Sequence, residues 1–281
     1  MRDISVLEVK QQVKEACGRM AVIAGNDIRK ALQKGKEAET DEKSITALDM
    51  LLKNAEIAET ENIPLCQDTG MVTIYVKAGQ EVHFTDGILK NALHEAVAEA
   101  YTEYYLRASV VDDPVFERKN TKDNTPAVIY SDIVEGDGLV IELTAKGFGS
   151  ENMSAIKMCK PAEGIEGIKD FVLDTIRKAG PNACPPMIVG VGIGGTFDYA
   201  AYLSKRALLR SLDSCNEDER YADLEKELVE KAGDLKIGPM GLHGKTTALK
   251  VNVETYPTHI AGMPCAVNIC CHACRHERLV F

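Results

Sequence analysis

Nine cysteines in a chain of 281 residues constrain this protein more than any other feature. They are Cys17, Cys66, Cys159, Cys184, Cys215, Cys265, Cys270, Cys271 and Cys274. The number is odd, and the opening MRDISVLEVKQQ lacks the apolar stretch of an export signal. A disulfide framework therefore explains them poorly, and the chain reads as cytoplasmic. Some must be small apolar core residues and others are candidate metal ligands. Cys17 lies on the stripe of a single first helix, Val9, Val13, Ala16, Met20, Ala24, Ile28, which makes it core. Cys159 fits a helix interior and Cys265 a strand. Cys66, Cys184 and Cys271 instead fall at junctions: Pro64-Leu65-Cys66-Gln67-Asp68-Thr69-Gly70, Asn182-Ala183-Cys184-Pro185-Pro186, and Cys270-Cys271-His272-Ala273-Cys274. Turns built on proline and glycine hold a side chain rigidly.

The remaining composition narrows the function classes. The length permits one large domain or two small ones with a sizeable core. A net charge of −10 argues against a nucleic-acid surface, while still allowing a local basic pocket for an anionic substrate. No apolar run approaches 18 residues, so no membrane span is expected.

The periodicity predicts a mixed α/β (α+β) fold. A helical N-terminal part of about 1–62 precedes an α/β part of about 63–281, with a mixed sheet and helices around one core in a single domain. Ser5-Val6-Leu7-Glu8 fits a capping box, and a second helix runs from about Ser44 to Glu59 and stops before Ile63-Pro64. MVTIYVKAG (71–79) reads as a strand. Thr85 is placed as the cap of a long helix ending near Arg107. PAVIYSDIV and GLVIELTAK read as a hairpin about Glu135-Gly136-Asp137-Gly138. Residues 166–179, 197–211 and 217–232 read as helices, the last with a solvated charged face. MIVGVGIGG, TTALKVNVETY and CAVNIC read as strands.

Two nucleotide motifs are discounted. Gly190 to Gly195 matches G-x-G-x-x-G after a strand. The acidic residue at a usable distance, Asp213, falls at a helix end rather than after a second strand, so the glycines are read as allowing close backbone approach. Gly244-Lys245-Thr246-Thr247 resembles the end of a phosphate loop, but Pro239 stands where the first glycine belongs and the segment opens a strand. A zinc knuckle from Cys270, Cys271, Cys274, His272 and His276 has only one of the two cysteine pairs that structural zinc uses. An electron-transfer protein would need four compactly spaced cysteines.

On these junctions the chain resembles the iron–sulfur hydro-lyases, class I fumarate hydratase and L-tartrate dehydratase, in their two-subunit form. The carrying residues are Pro64 to Gly70, Lys146 to Ser154, Ala183 to Pro186, Gly192 to Thr196, Gly244 to Thr247, and Val267 through Cys271 to His276. The resemblance implies a 4Fe-4S cluster held by Cys66, Cys184 and Cys271, with one iron left open to substrate. It implies an alpha subunit that hydrates fumarate to malate, or alternatively dehydrates L-tartrate. A separate beta subunit, in an alpha2beta2 assembly, would complete the site and supply the general base. Gln67 and Asp68 are then expected at the substrate, with Asp68 a proton-transfer candidate. His259 matches an active-site histidine. Arg107 is a carboxylate clamp in this reading, or else a cation at a helix C-terminus. Backbone N–H groups of Gly147, Gly149 and Ser150 are expected to bind a second carboxylate. Phe148 and His243 stand where glycine is expected. Little activity without the partner, and loss of activity in air, also follow.

Overall fold

The computed structural model describes residues 1–281. In chain order the elements are β1 (Arg2–Ser5), α1 (Val6–Val22), α2 (Asn26–Ala38), α3 (Glu42–Thr60), β2 (Met71–Gly79), β3 (Val82–Thr85), α4 (Leu89–Glu103), β4 (Val128–Val134), β5 (Leu139–Lys146), α5 (Phe148–Glu151), β6 (Ala155–Cys159), α6 (Gly164–Ala179), β7 (Met187–Gly195), α7 (Phe197–Ala207), α8 (Glu219–Asp234), β8 (Ala248–Thr258), β9 (Met263–Cys270) and β10 (His276–Val280). The fold is mixed α/β, as expected. No helix is long and apolar enough to cross a membrane. The chain divides into two compact units. One comprises Met1–Gly25, Ala55–Gly147 and Arg275–Phe281; the other comprises Asn26–Asn54 and Phe148–Cys274.

In the first unit a four-stranded sheet has the order β10-β5-β2-β4, and β1 and β3 form a separate parallel pair. The apolar faces of α1 and α4 cover the sheet. Val9, Val13, Cys17 and Met20 meet Leu93, Val97 and Tyr101, above Val72, Ile74, Ile141 and Leu143. Full burial of each such aliphatic side chain contributes roughly 1.5–3 kcal/mol.

The expected hairpin of β4 and β5 does not form. β2 lies between them, parallel to β4 and antiparallel to β5. The physical reason is burial. Five consecutive β2 residues, Val72–Val76, are buried, whereas β4 is largely exposed and belongs at an edge. The end of β2 also fills the bend between β4 and β5. The N–H groups of Gly79, Gln80 and Glu81 donate to the carbonyls of Gly138, Val134 and Gly136.

In the second unit the order is β6-β9-β7-β8, with β7 and β8 parallel and the other pairs antiparallel. Residues of α6 and α8 pack with β7, β8 and β9 around Val172, Ile176, Leu228, Val189 and Val267. The other side of β7 carries its glycines. A Cβ at Gly190 would lie 2.0 Å from the Ser204 carbonyl oxygen, and one at Gly192 would lie 2.2 Å from that of Ala200. The glycines therefore admit the backbone of α7, which is the close approach expected in place of a dinucleotide.

Other expectations are corrected locally. The first helix breaks at residues 23–25, and α2 follows as a separate element. Ser5 occupies the N-cap of α1, but its hydroxyl donates to Asp86 Oδ2 at 2.7 Å rather than capping the helix. Ile88, not Thr85, precedes α4, which ends at Glu103. Cys159 closes strand β6 rather than lying in a helix; pairing with β9 overrides its helical spacing.

Candidate active site

Burial sorts the nine thiols. Cys17, Cys159, Cys265, Cys270 and Cys274 are buried, while Cys66, Cys184, Cys215 and Cys271 retain access to solvent. Burial pushes the Cys17 and Cys265 thiols up to about 12 and raises that of Cys159. A metal ligand must be a thiolate, so these three are poor donors. The three junction cysteines are accessible and sit on turns rather than in apolar stripes, which fits a sulfur-ligated group. Cys270 and Cys274 pack with Ile188 and Leu208. No three His, Cys, Asp or Glu side chains gather as a single-ion site.

Cys66, Gln67 and Asp68 lie in the first unit, in the turn between α3 and β2. The turn is held by side chains. Tyr101 Oη donates to the carbonyls of both Thr69 and Gly70, at 2.9 and 3.0 Å. Thr69 Oγ1 donates to the Arg107 carbonyl at 2.9 Å, which ties the arginine's backbone to the turn. Asn124, fully buried, donates to the Gly70 carbonyl at 3.0 Å and accepts from Ser109 and Val110 N–H at 2.7 and 3.2 Å. Asp68 Oδ1 accepts from Gly70 N–H at 3.0 Å. Its Oδ2 faces Gly147, where an added Cβ would lie 3.0 Å away. Arg275 is 3% exposed and donates to the Asp68 carbonyl at 2.8 Å and the Ala145 carbonyl at 3.0 Å. Arg107 is exposed, and α4 ends four residues before it, so the helix-end alternative is not supported. The structure thus gathers Cys66, Gln67, Asp68, Gly147 and the backbone of Arg107. It does so through Tyr101, Asn124 and Arg275, to which the sequence assigns no role in the site.

Cys184, Cys271, Gly149, Ser150 and His259 lie in the second unit. Cys184 adopts a left-handed conformation, φ 51°, after the 3-10 turn Gly180–Ala183. Its N–H donates to the Pro181 carbonyl at 3.0 Å. Its own carbonyl lies 3.0 Å from Nδ1 of His272, the residue after Cys271. These two candidate ligands are therefore tied by one contact. Met240 N–H donates to the Pro185 carbonyl at 2.7 Å. Gly149 and Ser150 belong to α5, the glycine exposed and the serine buried. His259 stands apart on the exposed turn between β8 and β9. Its Nδ1 accepts from Ala261 N–H at 3.2 Å, which places the ring proton on Nε2.

The phosphate-loop look-alike already has an anion. The Glu39 carboxylate accepts from Lys245 N–H at 2.8 Å, Thr246 N–H at 3.1 Å and Thr246 Oγ1 at 3.1 Å. Burial acts to raise its pKa, but hydrogen bonds from Thr40, Thr246 and Lys245 outweigh that and hold it below the usual range. His243 has φ 69°, a conformation that suits glycine and explains why glycine is the expected residue there.

The turn thus presents a thiol, an amide and a carboxylate beside the arginine-bearing segment. The class is hydro-lyase. The chain belongs to the fumarate hydratase (fumerase) family, whose model matches residues 10–280. It is 41% identical over 276 residues to a Methanocaldococcus jannaschii protein named "Putative L(+)-tartrate dehydratase subunit alpha", covering 96% of both chains. It is 35% identical over 257 residues to the L(+)-tartrate dehydratase subunit alpha of Escherichia coli K12, covering 91% of this chain and 84% of that one.

Proposed function

We propose that this chain is the alpha subunit of a 4Fe-4S hydro-lyase that dehydrates L-tartrate. Cys66, Cys184 and Cys271 supply the three thiolate ligands and a separate beta subunit completes the site. The sequence had placed fumarate first and tartrate second; the names of the relatives favour tartrate. The observation that carries the enzymatic reading is the turn Cys66-Gln67-Asp68, tied through Thr69 Oγ1 to the backbone of Arg107.

Dehydration takes hydroxide from one carbon and a proton from its neighbour. From tartrate it leaves an enol, which tautomerises to a 2-keto dicarboxylate. When bound, the cluster supplies a Lewis acid to the substrate's carboxylate and hydroxyl oxygens. The Arg107 guanidinium binds the far carboxylate in two-pronged fashion. Gln67 donates its amide N–H to a substrate oxygen. Asp68 carries a proton to the departing hydroxyl at Oδ2, its Oδ1 being held by Gly70 N–H. His259 donates from Nε2 to a substrate oxygen. Backbone N–H groups of Gly147, Gly149 and Ser150 bind the second carboxylate. The base that removes the carbon-bound proton comes from the partner.

The test is to co-express the chain with its partner, purify anaerobically and compare L-tartrate with malate. Turnover of tartrate on the order of 10 per second, with at least tenfold higher kcat/KM than malate, is expected. A preference for malate would restore the fumarate reading. Turnover of neither would sink both.

A further inference from the structure

Arg275 is absent from the roles assigned above, yet it is as deeply buried as Lys146 beside Gly147, the two being the buried cations of the first unit. Arg275 follows Cys271 by four positions in the sequence. Only 3% of it is exposed, which is unusual for a guanidinium that forms no ion pair in the structure. It donates to backbone instead. Nη1 donates to the Asp68 carbonyl, and Nε to the Ala145 carbonyl two residues before Gly147. The Arg275 backbone is fixed too: its carbonyl accepts from Thr144 Oγ1 at 2.8 Å and from Ala145 N–H at 3.2 Å. A cation with five N–H donors in a rigid fork can clamp two carbonyls of different segments from separate nitrogens, whereas lysine carries all its donors on one nitrogen at the end of a flexible stem.

The direction of the clamp matters. The Asp68 carbonyl is fixed by Arg275 and its Oδ1 by Gly70 N–H. With both ends held, Oδ2 is set toward Gly147. An added Cβ there would lie 3.0 Å from Asp68 Oδ2 and 3.7 Å from Arg275 Nη2, so the missing side chain leaves room for both groups.

We propose that Arg275 is the positioning residue of the acid: its two carbonyl contacts fasten the Cys66–Asp68 turn to the end of β5 and, with Gly147, set the direction of the Asp68 carboxylate. The role rests on the hydro-lyase reading for its catalytic meaning, but the fastening itself does not.

The test compares Arg275→Gln, Arg275→Lys and Gly147→Ala by hydrogen exchange on the full chain and by kinetics on the complex with its partner. In Arg275→Gln, amides of the 66–72 segment are expected to exchange at least tenfold faster, with β7 amides unchanged. The kcat should fall roughly 30- to 100-fold with KM shifted less than threefold, because the acid is misaimed while substrate contacts remain. Arg275→Lys should restore little of either. Gly147→Ala should lower kcat without speeding exchange, since it displaces only the carboxylate. Unchanged exchange at 66–72, equal acceleration throughout the chain, or full rescue by lysine would overturn the proposal. If the wild-type complex proves inactive on any hydroxy acid, the exchange result still decides the fastening, and the hydro-lyase reading alone fails.

Discussion

The two units hold their candidate ligands by different means. In the first, the Cys66 turn is secured by side chains: Tyr101, Thr69, Asn124 and Arg275 each bond a backbone group of the turn or of the Arg107 segment. In the second, Cys184 is secured mainly by its own backbone. A left-handed conformation, a hydrogen bond to the Pro181 carbonyl and two following prolines set its direction, and His272 Nδ1 meets its carbonyl. Side-chain fastening is rigid but vulnerable to single substitutions. Backbone fastening is insensitive to most of them. The first unit should therefore be where point changes disturb the site, and the second where they do not.

The largest effect is expected at the arginine that the first unit presents. Arg107→Met should lower kcat/KM of the complex roughly 1,000-fold, about 4 kcal/mol, by removing a charge-assisted pair of hydrogen bonds to substrate. A loss below tenfold would remove Arg107 from the site and weaken the contrast. Next comes Asn124→Ala. It strands the buried Val110 N–H, removes the partner of Ser109 N–H and leaves the Gly70 carbonyl to Tyr101 Oη alone, and should cost about 2 kcal/mol in urea unfolding. The same change should speed exchange at Ser109 and Val110. The matching change in the second unit, His272→Ala, removes one contact to the Cys184 carbonyl and should cost only about 1 kcal/mol. A cost as large as that of Asn124→Ala would break the comparison.

The smallest difference is expected in alkali. Cys17 in the first unit and Cys265 in the second are each pushed up to about 12 by burial. The raised value favours the neutral thiol in the folded state. That stability is fully present below the unfolded value near 9 and is lost as the pH rises through 12. Cys17→Ala and Cys265→Ala should each flatten the alkaline decline by a similar amount in melting experiments between pH 8 and 11. A decline unaltered by both would show that other groups cause it.

Much of the local structure is legible in the sequence. Strands β2 and β7 announce themselves as apolar runs bounded by glycine, and α6 by its repeating apolar face. Burial then removed Cys17 and Cys265 from the candidates, as their patterns had suggested. Pairing was less legible. An exposed edge strand such as β4 reads like any other strand until the buried β2 claims the centre, and β10 gave no signal because it is short and half polar. The supporting side chains of the site were the least legible. Arg275 and Asn124 bond partners 207 and 54 residues away in the chain, and no spacing rule connects such positions. The Glu39 carboxylate explains the Gly244–Thr247 segment in the same way, across 206 residues.

The central claim is that Cys66, Cys184 and Cys271 bind one iron–sulfur cluster. The most direct measurement is anaerobic iron and sulfide analysis with EPR on the wild type, on the serine variant of each of these three, and on Cys215→Ser as the accessible cysteine outside the motifs. About four irons and four sulfides per wild-type chain are predicted. The cluster should be lost or degraded in each of the three variants and intact in Cys215→Ser. Metal retained by the three variants, or zinc without sulfide in the wild type, would contradict the claim.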